Sequence, residues 1–353
     1  MRRLTRLLGI LAGVAVSVVS LTAFEASALS CRTVVPNPHE SIQWFTTDPR
    51  ARDELARWCG SVGPVIFSSH SVPSESLLTD RFVIVSWNVH VGAGNVDSFV
   101  AELRRGDLTG GRPVHDFVLL LQEEFREGDD VPAVLPHGLR PPSPIAASTQ
   151  KRGREGVRAA ASAIGASVFY VPSMRNGGVV RPVEDRGNAI ISTVPIRDPA
   201  AIELPLEHQR RVAIAVSICG RRQDGVPWTL RLVDVHLDTA LALLHGGPFA
   251  ARRRQAQALV TAIDHDEAPT VVAGDFNTWG GSHESALTVF QRAFALSDLS
   301  QVADDSGPTF HGPLGFRAVL DHAFARGVRS LTVTRLSRSF GSDHVPLIVE
   351  VAF

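Results

Sequence analysis

The sequence predicts a layered α/β domain, and three observations predict it. Short apolar, β-branched runs end in polar residues, segments with helical apolar spacing alternate with them, and no repeat-protein period is present. Of the 353 residues, 44% are hydrophobic and 20% charged, ample material for a core. A formal net charge of −1 excludes a chain built to coat polyanions.

Residues 1–28 read as a secretory signal. Arg2, Arg3 and Arg6 make a basic start, Leu7 to Phe24 is an apolar run, and Ala26-Ser27-Ala28 has the small-x-small form of a signal-peptidase site. The alternative is an uncleaved membrane-anchoring helix. Cleavage removes three arginines and one glutamate, which moves the net charge from −1 to about −3. Export permits a disulfide, with Cys31 and Cys59 the expected pair and Cys219 expected as a buried thiol after the apolar run Val212–Ile218. The absence of a Cys-x-x-Cys spacing argues against a cysteine-ligated zinc site. Lys151 is the sole lysine, so the arginine count reflects composition bias rather than function.

Residues 29–80 carry one expected helix, Asp48–Cys59, and a polar linker, Ser68–Asp80. They are expected to form a small extension packed on, or tethered to, a main domain of residues 81–353, with Trp44 and Trp58 as packing anchors. The main domain opens with a strand over Phe82–His90, a glycine loop and an amphipathic helix over Val96–Arg105. Asp116–Glu123 is apolar on both faces and belongs inside a covered sheet. Gly128–Gln150 is a Pro-rich surface loop, and Lys151–Gly165 a helix flanked by Lys151, Arg152, Arg154 and Arg158. Ser167–Val171 and a turn over Arg175–Gly178 lead to a strand at Arg186–Ser192; Arg211–Ile218 and Trp228–Leu237 are adjacent strands joined at Gly225. Pro248–Asp264 is the clearest helix. It leads into the strand Pro269–Asn277, a helix over Glu284–Phe294, and the last strands, within Val319–Phe324 and Ser342–Val351.

Five of these strand ends deliver polar side chains: Asn88, Glu123, His236, Asp275 with Asn277, and Asp343 with His344. Such mouths are where α/β sheets place ligands. Alternation along an extended chain puts Asp275 and Asn277 on one side, although Asp-x-Asn alone also describes an Asx turn. Asp321 lies inside a sixth apolar strand, where a carboxylate needs a partner, and a histidine is the candidate.

The ordered set Trp87-Asn88, Leu121-Gln122-Glu123, Gly187-Asn188-Ala189-Ile190-Ile191-Ser192, Val235-His236-Leu237, Gly274-Asp275-Phe276-Asn277, Leu320-Asp321-His322 and Ser342-Asp343-His344 resembles the endonuclease/exonuclease/phosphatase superfamily. Its members include pancreatic-type deoxyribonucleases, apurinic endonucleases, neutral sphingomyelinases and inositol polyphosphate phosphatases. The resemblance covers about residues 81–353 and implies a four-layer α/β/β/α sandwich, two packed mixed β-sheets flanked by helices, with one site at one end. It implies Glu123 as principal ligand of Mg²⁺ (or Mn²⁺), with Asn88 and Asp343 nearby. Asp275 and Asn277 would orient and activate the attacking water, Asn277 also touching a phosphate oxygen. His344, held by Asp321, would act as a charged donor or as a base, and His236 as a phosphate ligand and general acid. Many relatives have an acid two positions after the first Asn, where this chain has His90. Either the metal shell uses fewer carboxylates, or His90 is a ligand for a softer ion such as Mn²⁺ or Zn²⁺. His245, His283, His311 and His322 are expected as structural or surface groups.

The implied function is an exported, metal-dependent phosphodiesterase, with nucleic acid (DNA or RNA) as first substrate reading. Arginine clusters at 152–158, 210–211 and 252–254 favour it; the slightly acidic charge and a single tyrosine, Tyr170, oppose it. The alternative is a lipid head group, for which no apolar, aromatic hairpin for membrane contact is visible. A non-catalytic binding module on the same fold would show damage at the polar strand ends, which are intact except at His90. No obligate protein partner is implied.

Overall fold

A computed structural model describes residues 30–69, 77–139, 153–176, 183–239, 249–264, 267–297 and 307–353. The signal or anchor expected over residues 1–28, Lys151, Arg152, His245 and the end of the Pro-rich loop lie outside the described residues. Strands are β1 (Val34–Val35), β2 (Gln43–Thr46), β3 (Val65–Ser68), β4 (Arg81–Asn88), β5 (Phe117–Glu127), β6 (Ser167–Asn176), β7 (Glu184–Ser192), β8 (Arg197–Glu203) and β9 (Val212–Arg221). They continue with β10 (Pro227–His236), β11 (Thr270–Asp275), β12 (Leu296–Ser297), β13 (Phe310–His311), β14 (Arg317–Ala318), β15 (Asp321–Arg326), β16 (Ser330–Arg335) and β17 (Leu347–Ala352). The helices are α1 (Arg52–Cys59), α2 (Val96–Arg105), α3 (Val157–Ile164), α4 (Ala250–Ile263) and α5 (Ser285–Ala293).

Two mixed sheets result, ordered β1-β3-β6-β7-β5-β4-β17-β16 and β12-β15-β11-β10-β9-β8-β2. Side-chain alternation explains the layering. Along β4, Phe82 and Ile84 face the layer between the sheets, while Val83, Val85 and Trp87 face α2 and α3. Along β5, Val118 and Leu120 face inward, and Phe117, Leu119 and Leu121 outward. In the second sheet Val271 and Ala273 of β11 join the inner layer, whereas Val272 packs with Leu259, Phe276 and Phe290 under α4 and α5. The chain is thus a four-layer α/β/β/α sandwich. Helix α2 shows the local logic: Asn95 accepts a hydrogen bond from the Ser98 N–H (2.7 Å), Val96, Phe99, Val100 and Leu103 form the buried stripe, and Gly106 at φ 86° closes the helix.

Several expectations are corrected. The described parts of residues 29–80 add strands to both sheets: β1 and β3 extend one edge of the first, and β2 pairs with β8 at the edge of the second. These segments of two to four residues are too short to show a period. Cys31 and Cys59 are disulfide-bonded, with Cα atoms 5.1 Å apart. Cys219 is not a buried thiol but half-exposed. Val212, Ile214, Val216 and Ile218 take the inward face of β9, so Cys219 falls on the other face, beyond the part that Ala213 and Ala215 share with the helices. Strands β8 and β16 were not anticipated; β16 alternates exposed and half-buried positions, as an edge strand does.

Candidate active site

At one end of the inter-sheet layer the inward positions turn from apolar to polar. A lower tier holds Ser86, Gln122, Asn188 and Asp234, all buried. Gln122 Nε2 donates to Asp234 Oδ1 (2.6 Å) and Asn188 Nδ2 to the Asp234 carbonyl (3.2 Å). Burial pushes the Asp234 acid well above its usual range, with the Gln122 hydrogen bond acting against the rise. Two residues further along β4, β10 and β11, the same alternation delivers Asn88, His236 and Asp275, and Asp321 lies opposite Asp275 in register. His344 arrives from the loop before β17; its carbonyl accepts from Trp87 Nε1 (3.1 Å), and its N–H donates to Ser342 Oγ (3.1 Å).

Asp275 is the hub. Its Oδ2 accepts from Asn88 Nδ2 (3.0 Å) and lies 3.5 Å from His236 Nε2 and 3.7 Å from His344 Nε2, while Oδ1 accepts from the Asn277 N–H (2.8 Å). Strand alternation is not what joins Asp275 to Asn277. The strand ends at Asp275, and Asn277, at φ 51°, closes an Asx turn onto it. Gly274 is required here, because a Cβ at that position would meet the Val235 carbonyl oxygen at 1.9 Å. The Asn277 amide donates to the Leu237 carbonyl (2.9 Å) and accepts from Trp279 Nε1 (3.1 Å), which fixes its orientation.

Charge separates the two histidines. His344 Nδ1 pairs with Asp321 Oδ2 at 2.8 Å; burial alone would lower the imidazole pKa, but Asp321 and Asp275 outweigh it and raise it to about 10. Burial raises Asp275 to about 6, with His344 holding it down, so the carboxylate is ionised at neutral pH. His236 goes the other way: burial, then the charges of Arg211 and Arg186, push it well below its ordinary value. Arg211 donates to His236 Nδ1 (3.1 Å), which leaves the imidazole proton on Nε2, facing Asp275. His236 therefore presents an Nε2–H toward Asp275.

Glu123 sits at a bulge between Leu121 and Glu124, at φ 58°, so β5 runs past the residue expected to end it. Its carboxylate lies 3.6 Å from Arg186, and it contributes to raising His90. His90 pairs with Asp343 at 2.8 Å, and its N–H donates to Asn88 Oδ1 (3.0 Å). Glu123, Asn88, His90 and Asp343 thus gather beside the hub. Among the described residues one trio of potential metal donors lies within 4.8 Å, Asp275, Asp321 and His344. That trio is better matched to a proton than to a cation, since His344 Nδ1 and Asp321 share a short hydrogen bond and the imidazole holds its proton to about 10. The Glu123, Asn88 and Asp343 oxygens are of the hard type that Mg²⁺ or Mn²⁺ takes, and the Glu123 side chain is 18% exposed.

Sequence reasoning missed two parts of this site. One is Arg186, which lies beside Glu123 and whose signal was its position immediately before the Gly187 motif; Arg211, named in the sequence within the 210–211 cluster, lies beside His236. Trp279, Phe310 and Phe316 form an aromatic wall, with Trp279–Phe310 centroids 5.3 Å apart and Phe310 5.0 Å from the His344 ring. Phe310 and Phe316 belong to a β13–β14 hairpin and Trp279 to the segment after β11. Five arginines of the clusters are ion-paired within the fold, Arg154 with Glu184, Arg158 with Asp130, Arg210 with Glu203, Arg252 with Glu284 and Arg254 with Glu207, whereas Arg211 faces His236. His322 is buried and meets Thr278 Oγ1 at 3.0 Å.

Comparison with known proteins places this geometry. A UPF0294 protein of Erwinia tasmaniensis is 36% identical over 92 residues, 25% of this chain and 30% of that relative, so the match spans under a third of the relative's length. Two solved structures share the fold: an endonuclease/exonuclease/phosphatase from Beutenbergia cavernae (18% identity, TM-score 0.51, covering 78% of this chain and 72% of the other) and a family protein from Leptotrichia buccalis (13%, 0.52, 77% and 100%). The model of the Endonuclease/Exonuclease/phosphatase family matches residues 85–344, the span that carries every polar strand end described above, and the chain belongs to that family of phosphoester hydrolases.

Proposed function

We propose that this protein is an exported, divalent-metal-dependent phosphodiester hydrolase. The observation that carries the reading is the buried Asp321–His344–Asp275 line, in which an imidazolium and an ionised carboxylate face the same opening from 3.7 Å apart. Glu123, Asn88 and Asp343 would hold Mg²⁺ or Mn²⁺, and His90 anchors Asp343 rather than serving as a ligand. The bound ion supplies Lewis-acid polarisation of a phosphate oxygen.

The protein's own residues divide the remaining work. Asp275, ionised above about 6, takes the proton of the attacking water, and the Asn277 amide orients that water. His344, charged to about 10, cannot act as base at neutral pH and instead donates from Nε2 to the phosphate, with Asp321 fixing its ring. His236 adds a neutral Nε2–H. Arg186 and Arg211 contribute positive charge on the side of Glu123.

The nucleic-acid reading loses part of its support, because Arg154, Arg158, Arg210, Arg252 and Arg254 are ion-paired within the fold, while Arg211 of the same clusters stays at the site. A lipid phosphodiester is favoured by the aromatic wall against His344. The test is hydrolysis of bis(p-nitrophenyl) phosphate, plasmid DNA and sphingomyelin vesicles with added Mg²⁺ or Mn²⁺. EDTA is expected to abolish turnover and added ion to restore it, with Glu123→Gln inactive throughout; turnover that survives chelation defeats the metal-dependent reading.

A further inference from the structure

We propose that Arg210 is a positioning residue for the reaction: through Arg211, its neighbour in the chain, it holds the His236 imidazole in place without touching substrate or any reacting atom. Arg211 alone does not account for its own place. It is buried, it forms no ion pair among the described residues, its Nε has no hydrogen-bond partner there, and its one side-chain hydrogen bond is the 3.1 Å bond to His236 Nδ1. Burying a guanidinium in this way is costly, and one neutral acceptor does not offset it. Burial lowers its pKa, Asp238 acts against the fall and Arg186 adds to it, so the nearby charges set no single direction for the side chain. What keeps Arg211 on His236 therefore lies outside its own side chain.

The residue before it is held from several sides. Arg210 is fully buried. Its Nε donates to Glu203 Oε1 at the end of β8, Nη1 to the Pro172 and Ser173 carbonyls of β6 (3.0 and 3.3 Å), and Nη2 to Cys31 Sγ of the disulfide (3.8 Å). Strand β6 belongs to the first sheet and β8 to the second, so one side chain clamps both sheets just before β9 begins. Glu203 is fixed in turn: Arg32 lies 3.6 Å from its Oε2, and its carbonyl accepts from the Thr47 N–H (3.3 Å) and Oγ1 (2.6 Å). The Leu204 N–H donates to the Arg211 carbonyl (3.0 Å), and Asp238 Oδ2 accepts from the His208 and Gln209 N–H groups (both 2.9 Å). The backbone that carries Arg211 is thereby pinned on both sides.

Stability alone does not explain a guanidinium at position 210, because a buried ion pair often contributes no more than well-packed apolar side chains of similar volume. Geometry does. A planar fork with five N–H donors meets acceptors in two sheets at once, whereas a lysine offers a single point charge. With Arg210 in place, Arg211 emerges at a fixed point and bonds His236 Nδ1, which leaves the imidazole proton on Nε2, facing Asp275. A displacement of about 1 Å in such an arrangement costs on the order of 10²-fold in rate. That His236 takes part in hydrolysis rests on the phosphodiesterase reading; that Arg210 sets its ring does not.

The experiment has two readouts on the disulfide-intact protein. The first is the ¹⁵N resonance of His236 Nδ1 in protein labelled at histidine, identified by its loss in His236→Ala. Arg211→Met removes the bond to Nδ1 outright and gives the displaced position; Arg210→Met is expected to move the resonance the same way. The second is kcat per folded molecule on bis(p-nitrophenyl) phosphate with added Mg²⁺ or Mn²⁺. Arg210→Met is expected to lower it roughly 10- to 100-fold, and to lower it no further once His236→Ala is present. Where Arg210→Met does not fold, Arg210→Lys carries the same test, since it keeps a charge for Glu203 and gives up the carbonyls and the sulfur. An Nδ1 resonance unchanged from wild type, or losses in kcat that multiply, overturns the proposal, because an arginine that merely holds the sheets together predicts both. If wild type hydrolyses no diester, the phosphodiesterase reading falls and the Nδ1 resonance alone decides the role of Arg210.

Discussion

The two ends of the inter-sheet layer are built from the same strands by the same alternation, yet they do opposite things. At the closed end Phe82 of β4 packs on Trp228 of β10 (6.1 Å), and Trp228 stacks on Phe353 (4.0 Å), with Ile84, Leu120, Val271 and Ala273 completing an apolar slab. At the open end the next inward positions are Asn88, Gln122, His236 and Asp275, equally buried. Burying apolar groups is favourable group by group, whereas burying these polar ones is tolerable only because each is tied to another. The closed end is therefore a sum of independent contributions and the open end a unit.

The largest expected effect tests the unit. His344→Ala is expected to lower hydrolysis by at least about 10³-fold and also to destabilise the fold by roughly 3–5 kcal/mol, because Asp321 is left buried without its ion-pair partner. Adding Asp321→Asn is expected to recover most of that stability and none of the activity. Denaturant unfolding and initial rates on the double cycle measure both. Additive losses in stability would show that the pair is not coupled and would break the comparison.

Leu120→Ala tests the other end. It is expected to cost about 2–5 kcal/mol through lost transfer and cavity energy, while kcat per folded molecule stays as in wild type. A loss of kcat that follows the loss of stability would show that the closed end transmits strain to the mouth.

What the sequence disclosed follows the same division. Strands buried on both faces announce themselves as continuous apolar runs, so β4, β5, β9, β10 and β11 were readable, as were α2 and the tipping of each strand into Asn, Glu, His or Asp. The short strands β1, β2 and β3 were not, because two to four residues carry no period. The β13–β14 hairpin was not, because its two-residue strands carry no period and Phe310 meets His344 only in the fold. Nor could the arginine clusters be judged, since pairs such as Arg210 with Glu203 or Arg252 with Glu284 depend on which elements pack together. His236 and His344 look alike in the sequence; one is held neutral by Arg211 and the other charged by Asp321, and only the fold assigns these neighbours.

The effect that leaves activity untouched and shows only in pH dependence concerns a second buried acid near the mouth that lacks what Asp321 has. Glu124 follows the bulge in β5 and is fully buried; its Oε2 accepts only a long bond from the Phe125 N–H (3.3 Å), and its Oε1 has no hydrogen-bond partner among the described residues. Burial raises its pKa from 4.5 to about 8, with Glu155 adding to the rise. The native state therefore holds a proton that the unfolded chain releases, so this contribution to stability is complete below about 4.5 and is lost as pH rises through about 8. Glu124→Gln keeps the shape and removes the titration. The stability of the variant relative to wild type is expected to grow as pH rises from 5 toward 8 and then to level off, in denaturant unfolding at a series of pH values. The His344–Asp321 pair weakens over a later window, from 6.5 to about 10, and does so in both proteins, so it cancels from the difference. Parallel stability curves for the two proteins would mean that Glu124 finds a partner after all, and that the open end tolerates no unpaired acid.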